Sequence, residues 1–119
     1  KVVAGGAMMG PAVRDLSSPT TKTTSGLIML SEATAQPPQV NPCIRCGRCV
    51  EYCPMGLEPV EVNQAYAARD VQELGKLHVD YCFNCGSCTF VCPAKRPCTQ
   101  MMGLAKAFYL GEIKKGGNK

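Results

Sequence analysis

Eight of the nine cysteines in this 119-residue chain fall into two runs of the same form. Residues 43–54 read C-I-R-C-G-R-C-V-E-Y-C-P, placing Cys43, Cys46, Cys49 and Cys53 ahead of Pro54. Residues 82–93 read C-F-N-C-G-S-C-T-F-V-C-P, placing Cys82, Cys85, Cys88 and Cys92 ahead of Pro93. Cysteine, glycine and proline recur at the same offsets while most residues between them differ, so what repeats is a ligand geometry. Three thiolates at two-residue intervals wrap a short loop around one corner of a metal–sulfur cube and use three of its metals. A tight loop cannot reach the fourth, which needs a thiolate from elsewhere. The chemistry this describes is a [4Fe–4S] cluster held by four cysteines, and the pattern occurs twice.

The spacing is the bacterial ferredoxin-type signature, in which the fourth cysteine of each run serves the other cluster. The expected ligand sets are therefore Cys43, Cys46, Cys49 and Cys92 for one cluster, and Cys82, Cys85, Cys88 and Cys53 for the other. Such an exchange cross-links segments far apart in sequence. Gly47 and Gly86 follow the second cysteine of each run, where a missing Cβ allows close approach and positive φ. Pro54 and Pro93 turn the chain away after the fourth. Four-cysteine zinc sites also use C-x-x-C spacing. They have no use for a third cysteine two residues on, nor for the proline.

The elements that must position these runs are small. With three Phe, four Tyr and no Trp, the core is thin, and small domains in that position need a disulfide or metal staple. The cluster region is expected to be largely unfolded without iron. Disulfides are disfavoured because neighbours in a C-x-x-C run are poorly placed to pair and nine is odd. No signal peptide is visible, and no apolar run approaches the roughly 18 residues that span a bilayer. The formal charge of +4 hints at nucleic acid. Eight thiolates and two doubly positive cluster cores bring that to roughly zero, so the basic residues read as charge balance and nucleic acid is excluded as a partner.

Taken in order, Lys1 opens in what reads as the middle of a strand, so a piece of a larger subunit is expected. Residues 1–10, K-V-V-A-G-G-A-M-M-G, read as a short strand entering a glycine turn. The G-x-G-x-x-G spacing of a phosphate-cradling loop is absent, and Met8 and Met9 read as packing residues. Gly26 to Leu30 gives a second strand pairing with Val2 and Val3. Ala33 to Pro42 is a linker, extended by Pro37, Pro38 and Pro42. One helical turn is expected around the second to fourth cysteines of each run, with Val50, Tyr52, Phe90 and Val91 shielding the clusters. Residues 59–77 carry helical periodicity: Pro59 at a first position, Val62, Ala65, Tyr66 and Arg69 on one face, then Asp70 and Glu73 as a capping box with Gly75 near the end. Thr99 is expected to cap a helix over residues 100–110, with Met101, Leu104, Ala105 and Phe108 inward and Gly111 stopping it. The fold class is thus mainly α: a helical two-[4Fe–4S] ferredoxin-like domain over 37–111, preceded by a short β-containing segment over 1–36 and followed by a mobile tail or cut linker over 112–119.

Outside the ligand set, Cys98 reads as a buried free thiol. His78, the only histidine, lies four residues before Cys82, where all eight ligand places are already filled. Arg45 and Arg48 flank ligands of the first run, while Asn84 and Ser87 hold the matching places in the second. Positive charge near a cluster favours its reduced form, so the first-run cluster is expected to have the higher potential unless Glu51 offsets the arginines. The alternative is ordinary solvated charge.

The segment C-I-R-C-G-R-C-V-E-Y-C-P-M-G-L-E-P, the helical spacer and C-F-N-C-G-S-C-T-F-V-C-P resemble the C subunit of the Rnf-type ferredoxin:NAD oxidoreductases. The upstream V-V-A-G-G-A-M-M-G and S-G-L-I-M-L resemble the end of that family's β-grasp domain. All eight family ligand positions are occupied; Cys98 departs from the aliphatic residue expected there. The resemblance implies a subunit that exchanges electrons with NAD(H) at FMN in an upstream domain, whose residues lie outside this chain. Its two clusters would relay electrons between that flavin and other subunits of a membrane-bound complex, ultimately ferredoxin, coupled to Na+ or H+ pumping. It also implies a peripheral place on the cytoplasmic side of the cell membrane, with no transmembrane segment of its own. No constellation for acid–base or nucleophilic catalysis is present. The rival readings are the same module in a corrinoid reductase or a heterodisulfide- or succinate-type redox subunit, or a structural module stapled by metal.

Overall fold

The computed structural model describes residues 1–117, and the chain divides into two units, Lys1–Gln39 and Val40–Lys119. In the first, β1 (Val2–Ala4) and β2 (Leu27–Met29) pair antiparallel, with Val2 opposite Met29, Val3 opposite Ile28 and Ala4 opposite Leu27. The two apolar runs thus pair as the sequence predicts. The glycine segment after β1 is a plain turn: the Gly10 N–H donates to the Gly6 carbonyl at 2.8 Å and the Gly5 N–H to the Gly26 carbonyl at 2.9 Å. A Cβ on Gly10 would stand 2.6 Å from the Gly6 oxygen and 2.7 Å from the Ala4 oxygen, so only glycine fits. Met8 and Met9 are half exposed rather than packed, because the turn carries them off the sheet. A short helix, α1 (Glu32–Ala35), occupies the start of the expected linker. The Ser31 carbonyl starts it, accepting from the Ala35 N–H at 2.8 Å.

The second unit is helical. It comprises α2 (Arg48–Glu51), α3 (Pro59–Ala67), α4 (Val71–Lys76), a 3-10 turn (Val79–Tyr81), α5 (Ser87–Val91) and α6 (Cys98–Gly117). The described residues therefore form helices with one small two-stranded sheet. The spacer between the cysteine runs is α3 and α4, as its periodicity predicts. Pro59 opens α3 at a position whose N–H has no helical partner. Val62 and Ala65 face inward and, with Leu57, Leu74, Val79, Met102 and Ala105, form the buried cluster of this unit. Arg69 ends α3 in the left-handed region (φ 55°), and its guanidinium lies 4.4 Å above the Tyr66 ring and 5.3 Å from that of Phe108.

Only half of the expected capping box forms. The Asp70 carboxylate accepts from the Glu73 N–H at 3.1 Å, but the Asp70 N–H is already donated to the Ala65 carbonyl. Glu73 turns instead to Lys76, 3.7 Å away. Asp70→Ala is expected to lower stability by about 1 kcal/mol, read as an earlier midpoint in chemical denaturation. Gly75 does not terminate α4 by a left-handed turn; His78 does that, at φ 55°. Gly75 makes room for Tyr109, whose hydroxyl would stand 3.2 Å from an added Cβ.

The last helix differs most from expectation. It starts at Cys98 and runs through Gly111 to Gly117, so residues 112–117 are helix rather than tail; Lys119 lies outside the described residues. A Cβ added at Gly111 would meet nothing within 4 Å, so no packing demands glycine there, and it is tolerated as an interior residue of the helix. The Glu112–Lys115 pair at 3.2 Å and the lysines of the last turn offset its cost. Of the residues expected inward, Ala105 is buried, Phe108 packs against the core and Met101 lines the first cavity, whereas Leu104 is exposed and Met102 is buried in its stead. Starting the helix at Cys98 sets that phase, since Cys98, Met102 and Ala105 follow at four and three residues.

Candidate metal centre

The two cysteine runs repeat in backbone as well as in sequence. Arg45 (φ 54°) and Asn84 (φ 57°) occupy the left-handed region between the first two cysteines, followed by Gly47 (φ 78°) and Gly86 (φ 89°). This reverses the chain around the first cysteine, so that the Arg45 N–H donates to Cys43 Sγ and the Asn84 N–H to Cys82 Sγ, both at 3.4 Å. Gly47 and Gly86 then open α2 and α5 as N-caps, the helical turns expected there. After each run a turn closes from the fourth cysteine, with Gly56 N–H to the Cys53 carbonyl and Lys95 N–H to the Cys92 carbonyl. Gly56 and Lys95 share the left-handed conformation (φ 68° and 58°), so the second repeat places a lysine where the first has glycine.

These loops set the thiols around two cavities. One, of about 230 Å3, is lined by Cys43, Cys46 and Cys49 of the first run and Cys92 of the second, together with Cys98. The other, about 20 Å3, is lined by Cys82, Cys85 and Cys88 of the second run and Cys53 of the first. No carboxylate lines either cavity. Among the described residues no three side chains of His, Cys, Asp or Glu converge as they would on a single ion. All nine cysteines are free thiols; Cys49 and Cys98 are buried, and Cys43 and Cys46 are exposed.

The electrostatics of the thiols follow from their partners. The neighbouring Cys98 thiol, the Thr99 hydroxyl and backbone N–H groups together outweigh burial and hold Cys88 down to about 6. Its neighbour Cys88 and burial push Cys98 up. Burial pushes Cys49 and Cys82 up against the backbone N–H groups that each accepts. The Leu57 N–H donates to Cys53 Sγ at 3.4 Å, and the Lys106 ammonium to the Cys82 carbonyl at 2.7 Å.

Residues 42–95 match the family described as 4Fe-4S dicluster domain. Over 77 residues the chain is 39% identical to the C subunit of the ion-translocating oxidoreductase complex of Rhodobacter capsulatus, covering 65% of this chain and 15% of that protein. The C subunit of the proton-translocating ferredoxin:NAD(+) oxidoreductase complex of Clostridium ljungdahlii is 42% identical over 59 residues, 50% of this chain and 13% of its own length. The Na(+)-translocating counterpart in Acetobacterium woodii is 37% identical over 71 residues, 60% of this chain and 16% of its own. Residues 42–95 thus resemble a 4Fe-4S dicluster domain, and the chain is similar over this stretch to the C subunits of ion-translocating oxidoreductase complexes. The description of that domain names iron–sulfur clusters, and the names of these relatives place them in ion-translocating oxidoreductase complexes. The chain spans about 15% of the length of the Rhodobacter relative. Among its described residues no helix is long and apolar enough to cross a membrane.

Several expectations about the surroundings of this dicluster segment need correction. Val50, Tyr52 and Phe90 do not shield the cavities; Phe90 is 78% exposed. They sit on the outer faces of α2 and α5, where Tyr52, Phe90 and Val91 line a shallow depression with Arg48 and Lys95. The inner walls come instead from Val60, Ala94 and Met101 around the first cavity and Pro59 and Met102 around the second. Arg48 therefore faces the depression and Glu51 rather than the first cavity, while Arg45 does line that cavity and pairs with Glu61 at 3.6 Å. His78 stacks on Tyr81, with ring centroids 5.0 Å apart. Sequence reasoning missed four residues. Arg96 and Asn63 line the first cavity, and the Asn63 Oδ1 is buried without a hydrogen-bond partner. Thr99 lines the second cavity, and Lys106 lies beside Cys82. Only Asn63 had a signal, a polar residue between the buried Val62 and Ala65; the others depend on the entry angle of α6.

Proposed function

We propose that this segment holds two [4Fe–4S] clusters and relays electrons one at a time. In this reading Cys43, Cys46, Cys49 and Cys92 bind one cluster, and Cys82, Cys85, Cys88 and Cys53 the other. The observation that supports it is the composition of the two cavities: each is lined by three thiols of one run and the fourth of the opposite run. The donor chemistry fits. Four soft sulfur ligands without carboxylates suit iron–sulfur, and backbone N–H groups already point at Cys43, Cys53 and Cys82. The second cavity, about 20 Å3, has room for little more than a water. A cube there requires its half-buried cysteine side chains to turn outward. When bound, each cluster supplies a one-electron centre; the chain's residues hold it, exclude water through Met101, Ala94, Pro59 and Met102, and set its potential through their hydrogen bonds.

The relay runs between an NAD(H)- and FMN-binding domain upstream and the other subunits of an ion-pumping membrane oxidoreductase, with ferredoxin reached indirectly. The protein sits peripherally on the cytoplasmic side of the membrane. The names of the Clostridium and Acetobacterium relatives, which pair ferredoxin with NAD(+), support this assignment. Metal and acid-labile sulfide analysis of the purified chain tests it. About eight irons and eight sulfides per chain, with an EPR signal appearing on reduction, is the expected result. Zinc without sulfide overturns it in favour of a structural staple.

A further inference from the structure

The first turn of α6 meets the second site at Cys88. The Thr99 hydroxyl lies 3.6 Å from Cys88 Sγ. A relay of donors fixes the direction of this contact. The Thr99 N–H donates to the Thr89 hydroxyl at 2.7 Å, which uses that oxygen as an acceptor. The Thr89 hydroxyl proton is in turn given to Thr99 Oγ1 at 2.6 Å. The Thr99 proton is thereby directed away from Thr89, and a sulfur that ligates metal as a thiolate can only accept. The first two bonds lock the two threonines together, and the Thr99 hydroxyl, in the first turn of a 20-residue helix, is left to donate to the sulfur.

The geometry points to a tuning device: we infer that Thr99, oriented by Thr89, is a hydrogen-bond cap on Cys88 that raises the reduction potential of the cluster held by Cys82, Cys85, Cys88 and Cys53 without acting on the other. Hydrogen bonds to ligating sulfur stabilise the reduced, more negative cluster, and the potential rises with their number. The positive end of the helix macrodipole adds in the same sense. Thr89 and Thr99 are positioning and tuning residues; neither binds metal. Cys98 lines the first cavity, so it makes the less selective probe, whereas Thr99 lines only the second.

This inference rests on the two-cluster reading, so iron and sulfide content is measured first on every variant; a wild-type chain without them defeats that reading and not this one. With both clusters present, an EPR-monitored potentiometric titration of the full chain compares wild type, Thr99→Val, Thr99→Ser and Thr89→Val. Thr99→Val, which keeps the shape and removes the hydroxyl, is expected to lower one of the two potentials by about 59 mV, a tenfold change in a one-electron equilibrium, and to leave the other in place. Thr99→Ser is expected to restore it. Thr89→Val, which leaves Cys88 untouched, is expected to lower the same potential by a smaller amount, and it carries the test should Thr99→Val lose iron. Arg45→Gln marks the first site and is expected to move the other potential. Unchanged potentials at wild-type iron content, equal falls in both, or a shift in the potential that Arg45→Gln moves would each overturn the proposal.

Discussion

A chain carrying Cys43→Ala together with Cys92→Ala is expected to retain about half its iron, whereas Cys43→Ala together with Cys53→Ala is expected to retain none. The first pair removes two ligands of a single cluster, because Cys92 of the second run lines the cavity of Cys43, Cys46 and Cys49. About four irons and four sulfides should remain at the other site. The second pair removes one ligand from each site, although both residues lie in the same run, because Cys53 lines the cavity of Cys82, Cys85 and Cys88. If each run bound its own cluster, the two results would change places. Iron, sulfide and the count of EPR signals separate the alternatives. Truncation to alanine is preferred to serine, whose oxygen can replace sulfur as a ligand and blur the comparison. The expected effect is large, since removing a thiolate takes away a metal bond and a link between two stretches of chain far apart in sequence.

How much of this was legible in the sequence depends on how local each feature is. The cysteine runs were fully readable because spacing alone fixes a loop's geometry. The α3 and α4 spacer was readable because Pro59, Asp70 and the Val62–Ala65 period act within one helix. Strand pairing of Val2–Ala4 with Leu27–Met29 followed from two short apolar runs with turn signals between them. What failed depended on long-range docking. On α6 the sequence placed Ala105 and Phe108 correctly but took Leu104 for Met102, because Cys98, rather than a residue beyond Thr99, begins the helix; the Thr89 hydroxyl of α5 takes up the Thr99 N–H and leaves Cys98 inside the first turn. Phe90 and Tyr52 were assigned to the core on hydrophobicity, yet α2 and α5 have only one inward face each and the cysteines occupy it. The roles of Arg48 and Lys106 likewise hinge on which side of a short helix meets a neighbour, which no spacing rule supplies. Cys98 was readable as a buried thiol but not as a wall of the first cavity, since it reaches that cavity from the start of α6 and lies outside both cysteine runs.

Removal of iron from the intact chain is expected to abolish cooperative unfolding of residues 40–117. The apolar core of this unit is a single small cluster among the described residues: Leu57, Val62, Ala65, Leu74, Val79, Met102 and Ala105, of which two are alanine. Ordering each residue costs about 1–2 kcal/mol of backbone entropy, and small domains bury too little surface to offset that without a staple. Three of the side chains packed against the cluster are Cys53, Cys82 and Cys88, one from the first run and two from the second, so their ligation draws both runs onto the same core. Binding free energy at such sites acts as folding free energy, because the unfolded chain offers no preformed set of ligands. Chelation under reducing conditions should therefore remove most of the helical circular dichroism and leave a broad, shallow melt. Restoring iron and sulfide should return both the signal and a sharp transition. A metal-free chain that keeps the helical signal and melts as sharply as the loaded one would show that the seven-residue core suffices alone. The exposed ion pairs offer no alternative source of that stability, since Arg45–Glu61, Lys76–Glu73 and Lys115–Glu112 are solvent-screened and surface pairs contribute about 0–1 kcal/mol each.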